Sequence, residues 1–209
     1  MINPKLFFAL LIFLTISFGI VNAQDTTKKD TSKRIFVAVE QEPLFPGGVQ
    51  GFYKYIAKNL KYPEVANVLG LEGKVIVSFV IEKDGSMADV KPITCLGAGC
   101  ESEAARVISQ SPLWKPGIQK GEPVRVMYTV PISFGFGGAK EPTYMKNLRK
   151  SNYGFVFFIK GAPYSIDDAE TMLGKSFDPA TIQSVEDYDN PKYAMPDKKA
   201  VYLVVMKNS

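Results

Sequence analysis

The fold of this chain is set by a β-strand and the tight turn after it, Lys74-Val75-Ile76-Val77-Ser78-Phe79-Val80-Ile81-Glu82-Lys83-Asp84-Gly85-Ser86. One face of the strand is fully apolar at alternate positions: Val75, Val77, Phe79 and Ile81. Ile76 and Val80 make the other face partly apolar, which is typical of a central strand covered on both sides. Asp84-Gly85 supplies the positive φ angles of a hairpin turn, so a second strand is predicted at about 87–94.

The residues on either side of this hairpin predict two helices and a third strand. The first helix precedes Pro63 and carries an apolar stripe of Val49, Phe52, Tyr53, Ile56 and Leu60. The second helix covers 101–110 and has acidic residues in its first turn. The third strand covers 124–132 and contains Pro131, which lacks an N–H, so we expect it at a sheet edge. The order α-β-β-α-β predicts an α+β domain over 45–138 with an exposed edge.

Residues 139–209 predict a second, small α+β unit. Strands are expected at 155–159, 182–188 and 201–206, with a helix at 166–173. A unit of this size is marginally stable alone, so we expect it to pack against the first domain or a partner.

The N-terminus has the layout of a secretory signal peptide, because Lys5 precedes the apolar residues 6–21 and the small residue Ala23. Cleavage after Ala23 is the first interpretation. A short membrane anchor is the alternative, although this apolar stretch forms only about 24 Å of helix against a hydrocarbon core of about 30 Å. Residues 24–44 are expected to be a flexible leader.

Composition bears on chemistry and on compartment. The chain of 209 residues contains no histidine, so a histidine-based active site is not expected. Its net charge is only +4 and it has no basic run, so nucleic-acid binding is not expected either. No cofactor or metal set is evident, and we expect a protein that is not an enzyme. In an exported protein Cys95 and Cys100 are expected to form a disulfide, with two free structural thiols as the alternative.

An ordered set of motifs between Phe45 and Phe134 resembles the C-terminal domain family of TonB, the energy transducer of outer-membrane transport. The motifs are Phe45-Pro46-Gly47-Gly48, Tyr62-Pro63, Gly73-Lys74-Val75, Asp84-Gly85, Pro112-Leu113-Trp114-Lys115-Pro116-Gly117 and Pro131-Ile132-Ser133-Phe134. The resemblance implies docking of an extended peptide from an outer-membrane receptor, which adds to the sheet as a strand. It implies partner-binding residues in two places: Asn59, Leu60, Lys61 and Tyr62, and Val124, Val126, Tyr128 and Val130.

The primary functional hypothesis is a periplasmic module that binds a receptor peptide or another periplasmic protein. Self-association into a homodimer through the same edge is a variant of it. The alternative is an energy transducer anchored in the inner membrane. Such transducers have a membrane helix with a histidine and a long proline-rich span, whereas this chain has no histidine and residues 24–34 reach at most about 38 Å.

A second resemblance lies in the C-terminal unit. Phe155-Val156-Phe157-Phe158-Ile159-Lys160-Gly161-Ala162-Pro163 and Asp178-Pro179-Ala180-Thr181-Ile182-Gln183-Ser184-Val185-Glu186 are similar to stretches of the plug domain of TonB-dependent receptors. By analogy this implies a role at the same interface.

Overall fold

The structure is a computed structural model that describes residues 33–135 and 141–207. Up to residue 135 the elements are β1 (Ile35–Phe36), α1 (Gly48–Asn59), α2 (Glu64–Val68), β2 (Gly73–Ile81), β3 (Met87–Pro92), α3 (Cys100–Ser109), β4 (Gly117–Gln119) and β5 (Glu122–Phe134). The predicted α-β-β-α-β succession is present, with the short elements α2, β1 and β4 added. The α+β fold class is confirmed.

The first sheet is built around β2, which lies between β5 and β3 in the order β1-β5-β2-β3, while β4 also pairs with β5. β2 and β5 are antiparallel in unbroken register from Gly73 opposite Phe134 to Ile81 opposite Val126. The prediction of a central strand at this position is confirmed.

The hairpin between β2 and β3 depends on a glycine. Asp84 accepts the N–H and the hydroxyl of Ser86 at 2.9 and 2.6 Å, which closes the turn. Gly85 has φ 86°, and a Cβ built there would lie 1.9 Å from the carbonyl oxygen of Trp114. A side chain is therefore excluded at Gly85, both by the backbone angle and by the approach of the Trp114 segment.

The core lies on the face of β2 and β5 that α1, α2 and α3 cover. It joins the alternate residues of β2 to the inner faces of the helices, with members Phe52, Ile56, Val65, Ala66, Val75, Val77, Phe79, Ile81, Ala104, Val107 and Ile108. Two members of the predicted α1 stripe differ: Val49 and Tyr53 are 64% and 58% exposed. These two side chains face a surface groove described below.

The second part contains β6 (Thr143–Tyr144), α4 (Met145–Lys150), β7 (Gly154–Ile159), β8 (Ala162–Tyr164), α5 (Ile166–Leu173), β9 (Ser176–Phe177), β10 (Ile182–Asp187) and β11 (Val201–Met206). Its main sheet has the order β10-β11-β7-β8, with β7 and β11 parallel. The predicted strands and the predicted helix are confirmed here, whereas α4 and the short strands β6, β8 and β9 carried no clear sequence signal.

The two parts share one apolar core and are joined by hydrogen bonds. Thr143 is 5% exposed and donates its hydroxyl to the carbonyl of Leu69 at 2.6 Å. The Tyr153 hydroxyl donates to the Glu64 carboxylate at 2.5 Å. The same cluster of buried residues includes Phe79 of the first sheet and Phe157 of the second.

Within residues 33–135 and 141–207, no helix is both long and apolar enough to cross a membrane. The expected signal peptide or anchor at 1–23 lies outside the described residues, as do residues 24–32 of the expected leader. The described end of that leader is not featureless, because it contains β1 and two isolated backbone bridges, Gln41 to Ile118 and Leu44 to Lys115.

Candidate functional site

In the described part of the chain, no strand pairs with the outer side of β5 beyond Val126, which leaves an open edge toward residue 133. The backbone N–H and C=O groups of Ile76 both face β3. The N–H donates to the Thr94 hydroxyl at 2.8 Å, and the carbonyl accepts the Ile93 N–H at 2.8 Å. Pro131 lies opposite Ile76, so the two exchange no hydrogen bond and the Pro131 nitrogen faces away from β2. Backbone groups alternate in direction along a strand, so the N–H and C=O groups of Met127, Thr129 and Ser133 also face away from β2.

Inside the described part of the chain, β1 is the strand that covers this side, and it reaches only two residues. Ile35 pairs with Arg125 and Phe36 with Val126, in parallel. Val126 pairs with Ile81 of β2 as well, so β1 must lie on the side of β5 away from β2. The sequence prediction of an edge strand is therefore correct for 127–133 and incomplete for the start of β5.

The predicted binding residues on β5 fall into two groups. Val124 pairs with Gly117 of β4, and Val126 is fully buried between two neighbouring strands. Tyr128 and Val130 lie along the open stretch, with their side chains on the helix-covered face. The structure thus places only the second pair beside an accessible edge.

An apolar groove of about 180 Å³ runs beside the open edge. One wall is the edge itself, and the other is the start of α1 with the segment before it; the lining residues are Pro43, Leu44, Phe45, Gly48, Val49, Phe52, Tyr53, Trp114, Tyr128, Thr129, Val130 and Pro131. The outer lip consists of side chains that are unusually exposed for their type, because Leu44, Val49 and Tyr53 are 45%, 64% and 58% exposed.

A cluster of aromatic rings forms the floor of the groove. The Trp114 ring centroid lies 5.5 Å from that of Phe45, 5.6 Å from that of Phe52 and 5.6 Å from that of Tyr128. Trp114 is 6% exposed, and its indole N–H donates to the Ser111 hydroxyl at 2.9 Å. The indole donor of the floor is therefore satisfied, so the floor offers apolar contact to a ligand.

An arginine lies where β1 meets β5. Arg125 binds the Glu82 carboxylate through Nε and Nη2 at 2.7 to 2.9 Å, and this bond raises the pKa of the guanidinium. Its remaining nitrogen, Nη1, donates to the Lys33 carbonyl at 3.3 Å. Arg125 thus fixes the backbone that leads into β1 at the end of the open edge.

The other predicted binding residues, 59–62, are held by α3 and by the far end of β5. Asn59 accepts the Arg106 guanidinium through its carbonyl at 2.8 Å, and the Lys61 N–H donates to Glu103 at 2.6 Å. Tyr62 packs against Phe134 with ring centroids 5.7 Å apart. None of the four lines the groove, so the structure does not bring the two predicted sets into one site.

The expected disulfide is not formed. Cys95 and Cys100 are both free cysteines; Cys95 is exposed and Cys100 is buried. Cys100 opens α3 with its side chain in the core, where burial and then the Glu101 carboxylate raise the pKa of the thiol to about 12. The Glu101 carboxylate also accepts the Gly97 N–H at 2.7 Å, which closes the loop between the two cysteines without a covalent link.

Comparison with known proteins identifies the domain that carries the edge. A family model described as the Gram-negative bacterial TonB protein C-terminal matches residues 58–136. This stretch belongs to the TonB C-terminal domain family. It contains β2, β3, α3, β4 and all of β5, so the open edge lies within the TonB C-terminal domain.

Individual relatives match over short stretches. Protein TonB from two strains of Helicobacter pylori, J99 and 26695, is 45% identical over 38 residues, which cover 18% of this chain and 14% and 13% of those proteins. The solution structure of the Helicobacter pylori TonB-CTD (its residues 179–285) matches at 26% identity and a TM-score of 0.32, covering 43% of this chain and 81% of that one.

One wall of the groove precedes the matched TonB C-terminal domain, because Leu44, Val49 and Tyr53 lie before residue 58. Sequence reasoning missed these residues as site residues, since Val49 and Tyr53 fit a helical stripe that faces a core. The signal that could have separated them is their position one turn apart at the margin of the stripe, beside the deeper Phe52 and Ile56.

Proposed function

We propose that this chain is an exported binding protein whose TonB C-terminal domain captures an extended peptide of a partner in outer-membrane transport. The peptide adds as a strand to the open side of β5, which is β-augmentation. The observation that carries this proposal is that, within the described residues, no strand pairs with the outward backbone groups of Thr129 and Ser133, which lie beside an apolar groove. No chemistry at the site is required, and the protein acts as a binding module rather than as an enzyme.

The groove sets the chemistry of the peptide. In an added strand the side chains alternate between the two faces of the sheet. Those on the side of Tyr128 and Val130 enter the groove, and the others lie on the outer face beside Met127 and Thr129. The proposed ligand therefore carries apolar side chains at alternate positions and tolerates polar ones between them.

The partner that fits this role is a periplasmic segment of an outer-membrane receptor. This chain would meet it after export directed by the apolar segment at 6–21. The 139–209 unit, with its plug-like stretches, is proposed to act at the same interface. A homodimer formed through the β5 edge is a competing occupant, and it predicts association of the purified protein in the absence of any partner.

The apolar segment at 6–21 favours a second candidate if it is retained as an anchor: an energy transducer in the inner membrane. Membrane fractions separate the two candidates. Intact N-termini found there by mass spectrometry favour the transducer, and mature chains beginning after Ala23 in the soluble periplasmic fraction favour the exported module.

Thr129 provides a clean test of strand addition. Its N–H faces the open edge and its side chain is exposed, so Thr129→Pro removes one outward donor while the β2–β5 ladder stays intact. We expect the purified parent to retain outer-membrane receptors from detergent extracts, and Thr129→Pro to retain at least about tenfold less. The matched control is Thr129→Val, which keeps the N–H and the branched shape and should bind like the parent.

Two outcomes decide against peptide capture at this edge. One is equal recovery of the same receptors by the parent and by a folded Thr129→Pro protein, with folding checked by circular dichroism. The other is a protein that recovers no receptor and forms a dimer in sedimentation analysis, a result that assigns the edge to self-association.

A further inference from the structure

A β-prone segment of the chain itself lies at one end of the open edge. Residues 35–39 read Ile-Phe-Val-Ala-Val, an uninterrupted apolar run typical of a strand. Only Ile35 and Phe36 pair, as β1. The run then leaves the sheet, and Val37 is 80% exposed, although valine is usually buried.

This segment is held at both ends. At its start, Arg125 binds the Lys33 carbonyl at 3.3 Å, and the Arg34 guanidinium lies 4.7 Å from the centre of the Phe36 ring. At its end, the Glu40 carboxylate accepts from the Gln119 amide at 3.0 Å and from the Lys120 N–H at 2.9 Å. In the described part of the chain, β1 supplies the strand pairing of this segment, and the Val39 side chain lies beside Gly117 of β4.

The register of β1 directs the segment along the open edge. β1 is parallel to β5, with Phe36 opposite Val126. Continuation of the same register would place Val37 opposite Met127 and Val39 opposite Thr129. Those positions lie along the open stretch of β5, so the segment already occupies the entrance to the proposed peptide site.

We propose that residues 35–39 are an internal competitor for the β5 edge, which a partner strand must displace from Arg125 and Val126. This rests on the proposed function and adds a regulatory step to it. A tethered segment acts at an effective concentration on the order of millimolar, which allows a two-residue strand to compete. If the form with β1 paired to β5 outnumbers the form with β1 displaced by about ten to one, an external peptide binds about tenfold more weakly.

The test uses the full chain and a fluorescein-labelled synthetic peptide with the sequence of residues 33–40. The variant Ile35→Pro/Phe36→Pro removes both N–H groups of β1, so the internal strand loses its backbone donor to β5 and pairs more weakly. The control Val37→Pro alters the adjacent exposed residue outside β1. We expect fluorescence anisotropy to show about tenfold tighter peptide binding for the double variant than for the parent, and parent-like binding for Val37→Pro.

The site of peptide binding is checked by adding Thr129→Pro to the double variant, which should weaken the peptide about tenfold. If the double proline variant does not fold, Ile35→Gly replaces it, because that side chain is already 37% exposed. Tighter peptide binding by Ile35→Gly than by the parent supports the proposal in the same way.

Three results overturn the internal competitor. Equal binding by the parent and the β1 variants shows that the segment does not limit access, while peptide capture itself stands. Binding unaffected by Thr129→Pro places the peptide elsewhere. Absence of peptide binding to every β1 variant shows that the segment has no affinity for the edge. The recovery of receptors from detergent extracts then tests the proposed function separately.

Discussion

At the scale of single residues, the direction of one N–H decides what a substitution does on β5. Pro131 is tolerated because its missing N–H would face the open side, and Thr129 shares that orientation. Val126 has the opposite orientation, with its N–H on the β2 side, so a proline there would break the ladder that holds the sheet. Proline substitutions at different positions of β5 therefore affect either peptide binding or the stability of the sheet.

Cys100 provides a prediction about thiol chemistry and pH. Burial raises its pKa to about 12 from an ordinary value of 9.0, so the folded state keeps the thiol protonated. The stability this confers is present below pH 9 and is lost as the pH rises toward 12, because the unfolded thiol ionises first. Urea unfolding between pH 9 and 10 should show a shallower loss of stability for Cys100→Ala than for the parent, by up to about 1.4 kcal/mol per pH unit.

Labelling separates the two cysteines directly. At pH 7.5 a maleimide should label one thiol of the native parent and none in native Cys95→Ser. In urea it should label both thiols of the parent. An unlabelled parent under native and denaturing conditions, with a mass two hydrogens lower before reduction, would instead establish the disulfide.

At the scale of elements, α1 has two functional faces. Phe52 and Ile56 are buried and anchor the helix to the core, whereas Val49 and Tyr53 are one turn apart and form the groove lip. The helix has no acidic residue in its first turn, so its N-terminal N–H groups lack a compensating charge. One position of the helix can therefore be changed with opposite effects on stability and on binding.

Val49→Asp is expected to weaken peptide binding at least about tenfold without destabilising the protein. The carboxylate places a charge on the apolar groove, while near the helix N-terminus it contributes about 0.3–1 kcal/mol of stability. Gln50→Asp is the matched control, because it adds the same charge to the same turn outside the groove lining. Titration with the labelled 33–40 peptide in an Ile35→Pro/Phe36→Pro background measures binding, and urea unfolding measures stability. Parallel loss of binding in both variants would show that charge alone acts at long range.

At the scale of the whole molecule, the two parts of the described chain form one compact unit. Thr143 and Leu69 are joined by a buried hydrogen bond, and Ala98 donates its N–H to the Val185 carbonyl at 3.4 Å. A domain boundary at 138/139 stays a prediction, but the shared core implies that the C-terminal part stabilises the domain that carries the edge.

Thr143→Val should lower the free energy of unfolding by about 1–3 kcal/mol, because the Leu69 carbonyl then loses its buried donor. Thr171→Val is the control: its hydroxyl bonds the Asp167 carbonyl on an exposed helix surface, and we expect a change within about 0.5 kcal/mol. Urea unfolding followed by circular dichroism should show one transition for both proteins. Two separate transitions in the parent would show that the parts fold independently.

The sequence by itself determined the α+β succession, the Asp84-Gly85 turn and the edge character of β5. Each depends on local chemistry: side-chain period, positive φ or a missing N–H. Only the tertiary structure decided which part of that edge is open, since β1 reaches Arg125 from far along the chain. It also decided that Val49 and Tyr53 line a groove and that Cys100 is buried while Cys95 is exposed. Those outcomes depend on contacts between distant segments, which local pattern does not encode.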